Sequence, residues 1–155
     1  LLTHAHFDHI WGCNRLRELS GAPVYAYEEE RALCEDAVTN VSDQVGRPYT
    51  VIPDRYLKEG EEITIAGMTC KLIATPGHTV GSCCYYFEEA GILVAGDTIF
   101  QESVGRTDLA TGSMSALVRS IRDKLFVLPD ETKVYPGHGE STTIEHEKAY
   151  NPFVQ

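Results

Sequence analysis

Four side chains able to hold a metal stand within six residues near the start of the chain, in Thr3-His4-Ala5-His6-Phe7-Asp8-His9. In an extended segment alternate side chains point the same way, so His4 and His6 can grip one cation from one side of the loop. Asp8 and His9 are adjacent and diverge. That suits a second cation about 3.5–4 Å from the first, the spacing two-metal hydrolytic sites use. Imidazole and carboxylate are ligands shared by zinc, iron and manganese, so the motif names a class of metal rather than an element. A lone histidine is ordinarily a surface or packed core residue, and an HxH pair also arises by chance. Three histidines and an aspartate in this order, opening into a helical pattern, point to metal binding.

Three later segments end the same way. Leu72-Ile73-Ala74-Thr75-Pro76-Gly77-His78, Ile92-Leu93-Val94-Ala95-Gly96-Asp97 and Val134-Tyr135-Pro136-Gly137-His138 each read as a strand finishing in a metal-capable residue beside glycine. With Leu1-Leu2-Thr3-His4, four strands deliver ligands to one edge. Rigid strands fix position, while glycine and proline turn the chain so that the side chain projects over the edge.

The set HxHxDH, PGHT, GD and PGHG resembles the metallo-β-lactamase superfamily, which implies an α/β (α+β) fold, the αββα sandwich, with a dinuclear centre at one sheet edge. Gly105-Arg106-Thr107-Asp108 and the terminal Asn151-Pro152-Phe153 look more narrowly like small glyoxalase II-like hydrolases, which lack the helical domain of the classical hydroxyacylglutathione hydrolases. The match runs essentially end to end. Carried over residue by residue, it implies that His4, His6 and His78 hold one divalent ion, and that Asp8, His9 and His138 hold the other. Asp97 bridges the two, zinc is the expected metal with iron and manganese as alternatives, and Asp8 and Asp97 are the carboxylates closest to the chemistry. Arg106 and Asp108 resemble residues that support the centre from behind, although a surface salt link explains the same pair. Two departures stand out: the strands that family members carry before HxHxDH are absent, and so is the domain that recognises glutathione in the classical enzymes.

Two cations sharing a water lower its pKa toward neutrality and aim the resulting hydroxide at a bound carbonyl. A thioester suits such a centre, because its leaving thiolate is a weak base and needs no dedicated general acid. The expected activity is therefore hydrolysis of S-(2-hydroxyacyl)glutathione or a related small-molecule thioester. The strongest rival is a persulfide dioxygenase of the same fold, using one iron, since those enzymes resemble this chain in HxHxDH, GRTD and the terminal NP. A true β-lactamase is disfavoured by Asp97, where those enzymes carry a different residue. A third reading is a non-catalytic module that binds metal or a partner.

Positioning these residues takes a full domain. With 155 residues and 43% hydrophobic content, the chain reads as one domain, residues 1–155, with a sizeable core. Thirteen basic against 23 acidic residues give a net charge of -10 without a basic cluster, which argues against nucleic acid and anionic membranes as partners. Nothing apolar is long enough to span a bilayer. Five cysteines, odd in number and without CxxC spacing, read as reduced, packed thiols in a cytoplasmic protein. Cys13 falls four residues after His9 on the same helix face, yet packing alone explains a buried cysteine.

The patterning predicts a helix from about His9 to Leu19 stopped by Gly21, a strand over 23–27, and an amphipathic helix over 28–38. Residues 39–58 show no period and are a candidate flap over a site, or an ordinary surface loop. Strands follow at 63–66, 69–74, 82–88 and 91–95. A helix from Ser113 to Leu128 carries a core stripe of Met114, Leu117, Val118, Ile121, Leu125 and Phe126. Val134 and Tyr135 close a last strand, and Thr142 with Glu145 reads as a capping box for a final helix on which His146 is a surface residue. The chain begins at Leu1 in what reads as a strand tail, so an excerpt of a longer polypeptide is expected. Its sheet would then present an unpaired edge and an uncovered apolar face, which favours association, most simply as a two-fold homodimer.

Overall fold

The strands Met68–Ala74 (β4) and Cys83–Phe87 (β5) bury residues on both faces, as in a sheet packed from two sides. The computed structural model describes residues 1–155, and in it these strands sit inside a six-stranded sheet. Its other members are Glu62–Ile65 (β3), Ile92–Gly96 (β6), Lys133–Pro136 (β9) and Thr142–Thr143 (β10), in the order β10-β9-β6-β5-β4-β3. Only β6 and β9 run parallel. A crossover connection is needed between them, and Met114–Ser120 (α4) supplies it. On α4 and the π-helical turn that follows, Leu117, Ile121 and Leu125 recur every fourth residue and pack on Ile73, Cys84, Leu93 and Val134. Met114 belongs to the expected stripe in sequence only; it lies in the first turn and is 43% exposed.

The opposite face is covered by a small parallel sheet of Tyr25–Tyr27 (β1) and Arg55–Leu57 (β2). Tyr25 and Tyr27 turn toward Leu72 and Tyr85, whereas Ala26 between them turns outward to Leu33 and Cys34. Outside β1 lie Phe7–Ile10 (α1), Cys13–Ser20 (α2) and Arg31–Glu35 (α3), which completes an αββα stack. The small sheet covers β3 to β5. Over β6 and β9, the register pair Val94 and Tyr135 is left 37% and 40% exposed.

Several boundaries differ from expectation for physical reasons. Trp11 and Gly12 break the first helix into α1 and α2, and Gly21 ends α2 in a left-handed conformation as its position predicts. The expected helix over 28–38 is a single 3-10 turn, Glu28–Glu30, followed by α3, because Asp36 turns extended. Leu1 and Leu2 form no regular strand; the Leu2 N–H donates to Tyr25 O (2.9 Å) and Thr3 O accepts from Cys83 N (2.9 Å), so the segment is an extended tie between the two sheets. The expected capping box does not form, and a simple N-cap one residue later takes its place. Thr143, not Thr142, caps the last helix, Ile144–Tyr150 (α5), by accepting from His146 N (3.2 Å). Thr142 instead pairs with Val134 and donates to the fully buried Glu147 (2.6 Å).

Of residues 39–58, read as aperiodic, Arg55–Leu57 is the strand β2, and the stretch before it is a wall tied to the core rather than a free flap. Asn40 is fully buried, donates to Leu33 O and Tyr49 O (3.1 and 2.8 Å), and accepts from Ser42 N (3.0 Å). A loop whose polar groups are satisfied from inside has little freedom to open.

Candidate metal centre

Four segments meet at one end of the central sheet. Residues 3–9 leave the tie between the sheets and enter α1, where Phe7 N donates to Asn40 O (3.1 Å). His78 follows β4 through Pro76 and Gly77. A side chain at Gly77 would stand 2.3 Å from the Leu117 backbone nitrogen, and Gly77 O accepts from Ser113 N (2.7 Å), so α4 docks directly on the turn before His78. Asp97 follows β6, and His138 follows β9 after Gly137, whose N–H bonds Gly96 O (2.8 Å).

All seven side chains singled out from the sequence come together here. The atoms of His4, His6 and His78 able to bind a metal lie within 4.8 Å of one another, as do those of Asp8, His9 and His138 and those of His4, His9 and Asp97. Asp97 stands between the clusters, with Oδ1 3.3 Å from His9 Nε2 and Oδ2 3.6 Å from both His78 Nε2 and His138 Nε2. His138 Nε2 lies 3.2 Å from Asp8 Oδ2. The first cluster is buried, whereas Asp8 and His138 are exposed.

The donors fit a cation. His78 Nδ1 sits 2.7 Å from the Arg106 carbonyl, which holds the proton there and leaves the Nε2 lone pair facing His6 Nδ1 at 2.8 Å. His4 Nε2 and Asp97 Oδ1 are buried without any hydrogen-bond partner. Buried polar atoms are rarely left so, and an ion bound here would give both a partner.

Burial holds His4, His6 and His78 below the ordinary histidine range, His6 at about 4, with the neighbouring imidazoles adding to the effect. Neutral imidazole is the form that binds metal. For His9 burial pulls the same way, but contact with Asp97 and the nearby Asp8 outweighs it and raises the pKa. Burial would raise Asp97, and its histidine neighbours, His9 first, bring it below the usual carboxylate range instead. In the metal-free protein these three histidines are therefore expected to disfavour the folded state as pH falls from about 6.5 toward 4, because the unfolded chain takes up protons there that the folded chain refuses; His6 alone contributes roughly 3 kcal/mol. His9 and the buried Glu30, whose pKa burial raises to about 7, act in the opposite direction over nearly the same window. The histidine contribution is isolated by urea midpoints of chelator-treated wild type and His6→Ala at pH 7 and pH 5: the variant should lose less, or gain more, on acidification, and identical changes in the two proteins would contradict it.

A cavity of about 460 Å³ opens over the cluster, walled by Phe7, Val41, Phe100, Val104 and Leu109, with Arg106 at its rim. Val41 has φ 70°, a left-handed conformation that costs a β-branched residue about 1–2 kcal/mol and that the buried Asn40 and Ser42 on either side enforce. Phe100 and Val104 belong to a hairpin of Ile99–Phe100 (β7) and Ser103–Val104 (β8), which Asn151 Nδ2 anchors by donating to Ser103 O (2.9 Å). The terminal Asn-Pro thus acts at a distance from the metal cluster. None of these wall residues carries a sequence signal beyond being apolar.

Arg106 and Asp108 form a bidentate pair at 2.7 and 2.9 Å with both side chains mostly exposed, a surface salt link. What reaches the centre from Arg106 is its main-chain carbonyl, on His78. Cys13 packs beside Ile10 and Val24, and His146 pairs with Glu102 at the surface (3.0 Å). All five cysteines are free thiols, and no helix is long and apolar enough to cross a membrane.

The sequence profile of the metallo-β-lactamase superfamily matches residues 1–138. The probable metallo-hydrolase YqgX of Bacillus subtilis is 41% identical over 156 residues, covering 99% of this chain and 74% of the relative. Hydroxyacylglutathione hydrolase GloC of Haemophilus influenzae is 34% identical over 157 residues, with the same coverage of 99% and 74%. Among solved structures, BLEG-1 B3 metallo-β-lactamase superposes with a TM-score of 0.92 at 42% identity, over 98% of this chain and 74% of that one. TTHA1623, crystallised in a di-iron-bound form, gives 0.85 at 37% identity, over 97% and 74%. Three strand ends and the extended tie before α1 converge seven histidine and aspartate side chains, and the match over most of the chain establishes that it belongs to the metallo-β-lactamase superfamily of metal-dependent hydrolases.

Proposed function

We propose that the protein hydrolyses small thioesters, with S-(2-hydroxyacyl)glutathione as the type substrate, at a centre of two divalent metal ions. His4, His6 and His78 hold one ion, Asp8, His9 and His138 the other, and Asp97 touches both. Zinc and iron both suit this donor set. Bound there, the pair supplies an ionised water near neutral pH and a Lewis acid for the carbonyl oxygen.

One observation carries the choice of substrate class. Apart from the seven cluster residues, Arg106 is the sole titratable side chain lining the cavity, and its pKa is raised by Asp108, so it stays charged and gives up no proton. Such a lining favours a leaving group that needs no protonation, which a thiolate satisfies better than an amine. Phe7, Val41, Phe100 and Leu109 offer the acyl group and its carrier an apolar wall. The relative named a hydroxyacylglutathione hydrolase supports the same class, and the neighbour named a B3 metallo-β-lactamase makes a β-lactam the second substrate to test.

The metal-loaded protein is expected to release free thiol from S-lactoylglutathione and to stop when a chelator removes the metal. Oxygen uptake with glutathione persulfide in the absence of thioester cleavage would overturn the proposal in favour of the mononuclear-iron dioxygenase. Turnover of a chromogenic cephalosporin alone would replace it with β-lactam hydrolysis.

A further inference from the structure

Glu30 is 1% exposed, and no Lys, Arg or His side chain pairs with it. It closes the 3-10 turn after β1, far in sequence from every cluster residue. Its carboxylate nonetheless reaches both loops that carry the buried histidines. Oε1 accepts from Ala5 N (2.8 Å), and Ala5 is the residue between His4 and His6. Oε2 accepts from Gly81 N (3.0 Å), and Thr79 Oγ1, next to His78, donates to both oxygens (3.0 and 2.9 Å). Burying a carboxylate without a cation is costly, and burial raises the Glu30 pKa to about 7, with main-chain and hydroxyl donors offsetting it only in part. We infer that Glu30 is a positioning residue that clasps the His4–His6 loop to the His78 loop and so sets the geometry of the three buried imidazoles. The inference rests on reading those histidines as ligands.

The donors make a specific demand. One N–H points at each carboxylate oxygen, so a glutamine side chain, whichever way its amide is turned, must set an NH2 against a main-chain N–H. Glu30→Gln therefore breaks the clasp at almost constant shape. The natural measurement is Co²⁺ affinity by visible absorption and chelator competition in a His138→Ala background, which leaves His4, His6 and His78 intact. Glu30→Gln is expected to weaken Co²⁺ binding there about 10–100-fold, the range seen when a hydrogen bond behind a ligand is lost, with circular dichroism unchanged. Thr79→Val should weaken it in the same direction, and Thr79→Ser should restore it. Unchanged affinity in a folded Glu30→Gln protein overturns the inference. Should Glu30→Gln not fold, Thr79→Val decides: affinity equal to that of the His138→Ala parent overturns it, and a loss that Thr79→Ser reverses supports it. Failure of that parent itself to bind Co²⁺ would overturn the ligand reading beneath, a separate result.

Discussion

Replacing Asp97 with alanine is expected to strip both metal ions from the protein and to reduce hydrolysis by well over about a hundredfold, beyond what losing a single outer hydrogen bond costs. The carboxylate alone faces both clusters, with Oδ1 toward His9 and Oδ2 toward His78 and His138. Without it five imidazole rings crowd together, the His4 and His9 centroids being already 4.0 Å apart, and only the exposed Asp8 remains to offset two cations. Elemental analysis after desalting gives the metal count directly. A variant that keeps two ions would show that Asp97 does not bridge, and the dinuclear assignment would fall.

Gly137→Ala should be nearly as damaging, although glycine touches no metal. A Cβ at this position would stand 2.2 Å from Asp97 Oδ1 and 2.7 Å from His9 Cε1, so the added methyl displaces one or both of them. The strain itself is modest: overpacking costs about 1–3 kcal/mol, a drop in Tm of roughly 3–10 °C for a domain of this size. Activity is a different matter, since a ligand moved by an ångström leaves the productive geometry. The expected result is a folded protein with depleted metal and at least about a hundredfold less activity. Wild-type metal content and rate in this variant would mean that the β9 turn yields, and that the site is less tightly packed than its backbone indicates.

Much of the site was legible because its residues are chemically distinctive and local. His4, His6, Asp8 and His9 sit within six positions, and His78, Asp97 and His138 each follow an apolar run that ends at glycine. A strand terminus with a turn residue is a local signal, and a shared sheet edge follows once the strands pair. The role imagined for the Arg106 side chain was not legible, because a guanidinium and a carboxylate two residues apart satisfy each other at the surface while the useful atom is a carbonyl, which every residue has. The helix cap shows the same limit at finer scale. Thr142 and Thr143 are equivalent locally, and the pairing of Thr142 with Val134 together with the burial of Glu147 decided between them.

What the sequence by itself determined is the chemistry: which side chains can hold metal, the strands β3 to β6 and β9, and the central stripe of Leu117, Ile121 and Leu125. Their periods and spacings are properties of neighbouring residues. What only the tertiary structure decided is the support: Glu30 reaching Ala5 and Thr79, Asn40 locking a wall that holds Val41 at φ 70°, and Asn151 fastening the hairpin behind the cavity. Each of these acts across a long stretch of chain, and mostly through main-chain N–H and C=O groups that all sequences possess alike. Such contacts exist only where packing brings two distant backbones together, so no spacing of residue types announces them.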